Sequence, residues 1–169
     1  MPLFPQALPV PALYVQDFEG SYRPATGDEL LAAAQEHLAR QLVGRVLFDA
    51  PMVVRDYLRC RHATREYEVF GALFLDSQNR LIEARDLFRG TVSQTSVYPR
   101  EVVRLALQLN AVSMIVFHNH PSGTPTPSRA DEGLTQTLKS ALTLVDVRLL
   151  DHFIITTEQV ASMAELGLI

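Results

Sequence analysis

Residues 112–156 constrain the fold more than any other stretch, because strand, loop, helix and strand follow one another there without a gap. The run Val-Ser-Met-Ile-Val-Phe at 112–117 is short, apolar and rich in β-branched residues, the pattern of a buried strand. A loop follows with prolines at 121, 125 and 127 and a glycine at 123. Ser128-x-x-Asp131 then opens a helical pattern that runs to about residue 144, and residues 147–156 return to an apolar strand interrupted by Asp151-His152. Upstream, residues 66–75 and 80–88 are strand-like and flank the turn residues Asp76-Ser-Gln-Asn79, which makes a β-hairpin. A helix from Pro99, with Val102, Leu105, Ala106 and Leu109 on one face, leads into the strand at 112. An antiparallel hairpin combined with helical crossovers predicts an α/β layered domain with a mixed sheet.

The same stretch predicts a metal centre. Residues i and i+2 of an extended chain point to one side, so His118 and His120 project together with α-carbons roughly 6.5 to 7 Å apart. Zinc binds imidazole nitrogens at about 2.0 to 2.1 Å and accepts a carboxylate as third ligand, leaving a fourth position for water. Asp131 is the natural third ligand. Each residue also has a plainer role: Ser128-x-x-Asp131 is a capping box, and loop histidines are commonly surface groups. Two same-face histidines, a rigid turn and an acid at a helix start within fourteen residues favour the metal. Cys60 is the only cysteine, which excludes an intrachain disulfide, cysteine-based structural zinc motifs and the Cys-x-x-Cys deaminase signature.

Hydrolysis at such an ion also needs a carboxylate that is not a ligand, to carry a proton from the attacking water. Glu66 and Glu68 are candidates, two apart on an apolar strand and so on one face. Position alone does not choose between them, and both also suit an edge strand guarded by charge.

The remainder of the chain divides readily. Residues 1–25 hold five prolines and read as an extended arm, and 26–64 as a helical extension. In the latter, Thr26-x-x-Glu29 caps a helix whose Leu31, Ala34, Leu38 and Leu42 form a core-facing stripe, and Asp49-Ala-Pro51 starts a second helix. Residues 65–169 form the main domain, ending in a short turn near 162–166. Fourteen arginines and one lysine within a net charge of -4 give no global attraction to nucleic acid. Arg55, Arg59, Arg61 and Arg65, interspersed with acids, fit a solvated face or a helix C-terminus. Without a membrane-spanning run or a signal peptide, a cytoplasmic location is expected.

Glu68-Val-Phe-Gly71, His118-x-His120-Pro121 and Ser128-x-x-Asp131 together resemble the JAMM motif of the JAB/MPN metal-dependent hydrolases, in particular the bacterial RadC-like proteins. Phe88-Arg-Gly-Thr91, Pro99-Arg-Glu101 and Leu150-Asp-His152 extend the likeness from about residue 65 to the C-terminus. The resemblance implies the JAB1/MPN fold, a mixed sheet flanked by helices and related to the cytidine-deaminase architecture. It implies zinc on His118, His120 and Asp131, Glu68 as the general base that activates the zinc water, and Ser128 as an oxyanion stabiliser. The implied function is hydrolysis of an amide or isopeptide bond in a protein or peptide substrate. The alternative is a zinc-containing scaffold or a DNA-repair accessory without turnover. Many RadC-like proteins carry a helix-hairpin-helix segment, yet residues 1–64 contain no Gly-x-Gly hairpin, so DNA binding gains little support. Asp151-His152 is expected to be structural, the histidine paired with the adjacent acid or a backbone carbonyl. Arg100 is a further candidate for holding a substrate carboxylate or a neighbouring loop.

Overall fold

A computed structural model describes residues 13–16, 20–42, 47–48, 50–90 and 97–169, excluding the side chains of 35–42. Residues 1–39 and 40–169 form two compact units. In the first, β1 (Tyr14–Gln16) pairs antiparallel with β2 (Tyr22–Pro24). The helix α1 (Gly27–Leu42) begins at the expected capping box, with Thr26 N donating to Glu29 Oε2 at 2.9 Å and Glu29 N to Thr26 Oγ1 at 3.3 Å. Leu31 and Ala34 of the expected core stripe are exposed, while the side chains of Leu38 and Leu42 lie outside the described residues.

The second unit contains α2 (Pro51–His62), β3 (Val69–Leu75), β4 (Leu81–Arg89), α3 (Pro99–Gln108), β5 (Ser113–Asn119), α4 (Arg129–Thr143), β6 (Arg148–Ile155) and β7 (Val160–Ser162). Pro51 and Pro99 each open a helix where the missing N–H costs nothing. The hairpin turn closes on Asp76, whose Oδ1 accepts from Gln78 N at 2.8 Å and Arg80 N at 2.9 Å. Five strands form one sheet in the order β4-β3-β5-β6-β7. β5 and β6 are parallel and joined through α4, while every other neighbouring pair is antiparallel. The expected mixed α/β architecture is therefore present.

Strand alternation builds three layers. Phe70, Ala72, Phe74, Met114 and Val116 face Val102 and Ala106 of α3 and Leu138 and Leu142 of α4. Leu73, Leu75, Ile115 and Phe117 face the other way, onto Val54, Tyr57 and Leu58 of α2. Both central strands are buried along their whole length, which explains their unbroken apolar runs. Gly71 is required by this packing. A Cβ there would lie 2.3 Å from the Phe117 ring and 2.8 Å from the Arg85 carbonyl oxygen.

Asp151-His152 does not break its strand; the irregularity is a bulge. Met114 pairs with Leu149 but Ile115 pairs with Asp151, so Leu150 is an extra residue. Leu149 belongs to the α3/α4 face, whereas Leu150 packs with the α2-side cluster and Asp151 shares a cavity wall there with Val54 and Phe153. The chain phase thus shifts by one, and His152, paired with Val116, faces α4.

His62, 2% exposed, lies against the Phe117 ring at 4.6 Å, and its Nδ1 has no hydrogen-bond partner among the described residues. Burial pushes its pKa down to about 4, partly opposed by the Asp86 carboxylate. A lowered folded-state value means that the unfolded chain binds the proton more readily, so stability declines as pH falls from about 6.5 towards 4. The loss expected from this residue is on the order of 2 to 3 kcal/mol. Urea unfolding at pH 7.5 and 4.5 tests it: His62→Phe retains the ring contact and should narrow the stability gap between the two pH values. An equal gap in both proteins would refute this role for His62.

Candidate metal centre

β5 continues past residue 117, so both His118 and Asn119 belong to the strand. His120 N donates to Ile155 O at 2.8 Å, prolonging the ladder to β6 by one bond. The chain then turns: Gly123 N donates to His120 O at 3.0 Å, and Gly123 has a φ of 82°, a left-handed conformation that favours glycine. This turn brings the Thr124 carbonyl oxygen to 2.7 Å from His120 Nδ1.

Ser128 is the N-cap of α4 and Asp131 its third residue, in a reciprocal capping box. Asp131 divides its oxygens between two tasks. Oδ2 accepts from Ser128 N at 2.7 Å and from Ser128 Oγ at 2.6 Å, while Oδ1 lies 3.3 Å from His118 Nε2. The capping role and a ligand role are therefore compatible in one side chain.

The structure brings the three expected ligands together, with one ligand atom from each of His118, His120 and Asp131 inside a 4.8 Å span. His118 Nε2 and His120 Nε2 are 2.8 Å apart. The His118 side chain is 3% exposed, whereas His120 and Asp131 are 18% and 15% exposed, so the cluster is closed beneath and open to solvent on one side. Burial, partly opposed by Asp131 and reinforced by His120, lowers the His118 pKa to about 4 and keeps the ring neutral near pH 7. A carbonyl oxygen only accepts, so His120 Nδ1 donates to Thr124 O and Nε2 is the ring atom turned towards His118. Two imidazole nitrogens and one carboxylate oxygen are a donor set that fits zinc.

Glu68 immediately precedes β3, and the register of β3 with β5 relates it to this cluster. Phe70 is paired with His118, and continuing that antiparallel register by two residues sets Glu68 opposite His120 on the same sheet face. Glu68 is half-buried, whereas Glu66 is exposed. Asn119, between the two histidines, fixes this segment: its Oδ1 accepts from Val69 N at 2.8 Å and its Nδ2 donates to Tyr67 O at 2.9 Å. Nothing in the sequence distinguished this buried asparagine from a loop residue, because the end of the strand was not resolved by pattern.

His152 departs from expectation. Asp151 does not receive its ring; that carboxylate accepts from Ser162 Oγ, Ala164 N and the His152 backbone N–H, and burial raises its pKa. The bulge sends the two side chains to opposite faces. The fully buried His152 ring instead sits with Nε2 at 2.8 Å from His118 Nδ1 and Nδ1 at 2.6 Å from Thr135 Oγ1. Three of the four clustered arginines are held by neighbouring groups: Arg55 binds Glu165 and Val160 O, Arg61 binds the Tyr57 hydroxyl, and Arg65 binds Tyr67 and Asp86. Arg100 pairs with Glu101 at 3.6 Å at the start of α3.

The family model described as a RadC-like JAB domain matches residues 48–168. A UPF0758 protein of Polaromonas sp. (strain JS666 / ATCC BAA-500) is 60% identical over 149 residues, covering 86% of this chain and 66% of its own length. UPF0758 proteins of Leptothrix cholodnii and Variovorax paradoxus are 56% and 54% identical, over 86% and 83% of this chain. The matched stretch spans 67% and 62% of those two relatives.

Proposed function

Because this chain belongs to the RadC-like JAB domain family, we propose that it is a zinc-dependent hydrolase of the JAMM type, cleaving an amide or isopeptide bond in a protein or peptide. The observation that carries this reading is the convergence of His118 Nε2, His120 Nε2 and the Asp131 carboxylate on one partly open point. Bound there, zinc supplies Lewis acidity that lowers the pKa of a coordinated water to about 7. Glu68, opposite His120, accepts the proton of the attacking water and returns it to the leaving amine. The Ser128 hydroxyl turns from Asp131 to donate to the developing oxyanion, while Ser128 N continues to hold Asp131 Oδ2. Activity in the cytoplasm is part of the same proposal. No helix among the described residues is long and apolar enough to cross a membrane.

Elemental analysis combined with a screen of peptide and isopeptide-linked substrates tests the reading, with chelator-treated protein as control. One zinc per chain and chelator-sensitive cleavage are expected. Stoichiometric zinc without cleavage of any substrate would favour a scaffold. Binding to duplex DNA is expected at a dissociation constant on the order of 10⁻⁴ M or weaker, and submicromolar binding in fluorescence anisotropy would favour a DNA-processing accessory.

A further inference from the structure

We propose that Thr135 and His152 are positioning residues: a polarised hydrogen-bond relay from α4 through His152 holds His118 as the Nδ1–H tautomer, with Nε2 free for a metal. This rests on the reading of His118 as a ligand. The direction of the relay follows from counting protons. Thr135 Oγ1 has one hydrogen and lies 2.6 Å from the Asp131 carbonyl oxygen, one helical turn back, which can only accept. The hydroxyl also lies 3.6 Å from Met163 Sδ, but a thioether sulfur is a weak acceptor and does not compete with a carbonyl oxygen at 2.6 Å. With its proton committed, Thr135 Oγ1 must accept from His152 Nδ1–H at 2.6 Å.

His152 then has no proton on Nε2 as a neutral ring, and that nitrogen is an acceptor. The atom facing it at 2.8 Å is His118 Nδ1, which must donate. His118 Nε2 is left with its lone pair directed towards His120 Nε2 and Asp131 Oδ1. The opposite polarity would put a proton on His118 Nε2, block the lone pair and leave Thr135 Oγ1 and the Asp131 carbonyl oxygen 2.6 Å apart without a hydrogen between them. Phe70 closes the surroundings, with its ring 5.7 Å from that of His152 and 6.4 Å from that of His118. His152 is 0% exposed, which removes bulk water as an alternative partner. The relay starts and ends on the same residue, since Asp131 supplies both its terminal carbonyl and the third ligand atom.

Nitrogen-15 correlation spectra of the imidazoles and zinc competition against a chelator test the relay. In the parent, His152 should show the Nδ1–H pattern both with and without zinc. Thr135→Val removes the acceptor while keeping the side-chain shape, and should weaken zinc binding 10- to 100-fold, the usual scale for a group that orients a ligand. Thr135→Ser should restore both affinity and tautomer, which a purely packing role of the methyl group would not produce. His152 found as Nε2–H in the parent would overturn the relay, as would parental zinc affinity in Thr135→Val. If Thr135→Val fails to fold, the parent spectrum still decides. Failure of the parent to bind zinc would sink the metal centre itself, while the His152 tautomer in the metal-free protein would still decide the polarity of the relay.

Discussion

Glu68→Gln should retain one zinc per chain and cleave substrate roughly 10²- to 10⁴-fold more slowly than the parent, the usual scale for losing a general base. Glutamine matches glutamate in volume and reach but cannot take up the proton. Asn119 holds the Tyr67–Val69 backbone independently of the side chain at 68, so the substituted residue should remain in place. Glu66→Gln is the internal control, because Glu66 is exposed and lies before the strand position opposite His120. Zinc content and cleavage rate for the three proteins separate the outcomes. Loss of zinc in Glu68→Gln would make residue 68 a ligand; loss of activity in Glu66→Gln alone would move the base.

Replacing both His118 and His120 by Ala should bring the zinc content from about one per chain to near zero, because a single carboxylate binds the ion far too weakly to hold it through purification. The thermal consequence should be visible as well. Any ligand that binds only the folded state raises the melting temperature, so chelation should lower that of the parent and leave that of the double variant unchanged. An unchanged zinc content in the double variant would refute the site. His118→Ala removes more than a ligand, since it strips His152 Nε2 of its partner; His120→Ala leaves that buried pair intact. The second variant is therefore the cleaner single substitution, with the larger perturbation of the fold expected for the first.

The grouping of His118, His120 and Asp131 was legible in the sequence because their spacing is local. His118 and His120 share a face by strand geometry, and Asp131 follows a capping serine, so pattern alone groups them. The mixed sheet was likewise legible, since a hairpin and a helical crossover leave characteristic periodicities. The choice between Glu66 and Glu68 was not, because it depends on register between strands about fifty residues apart, Phe70 against His118. Resemblance favoured Glu68, and extending the register by two residues is consistent with that choice. The partner of His152 was illegible for another reason. Alternation counted from Leu149 sends residue 152 towards α2, and only the extra residue at 150 turns it towards α4. A bulge leaves no compositional mark in Leu-Leu-Asp-His. Gly71 was read as part of a motif, whereas its cause is the Phe117 ring filling the space where a Cβ would stand.

Asp131 holds the start of α4 through Oδ2, which also lies 3.8 Å from His120 Nε2, and faces His118 with Oδ1. On the proposed reading, helix initiation and ion capture would draw on the same carboxylate and so be thermodynamically linked. A cation held at Oδ1 would restrain the side chain that tethers Ser128, so its binding would oppose fraying of the first turn. The rate at which the amides of Ser128 and Asp131 exchange with solvent would then gauge occupancy at the histidines, read from the helix rather than from the ion.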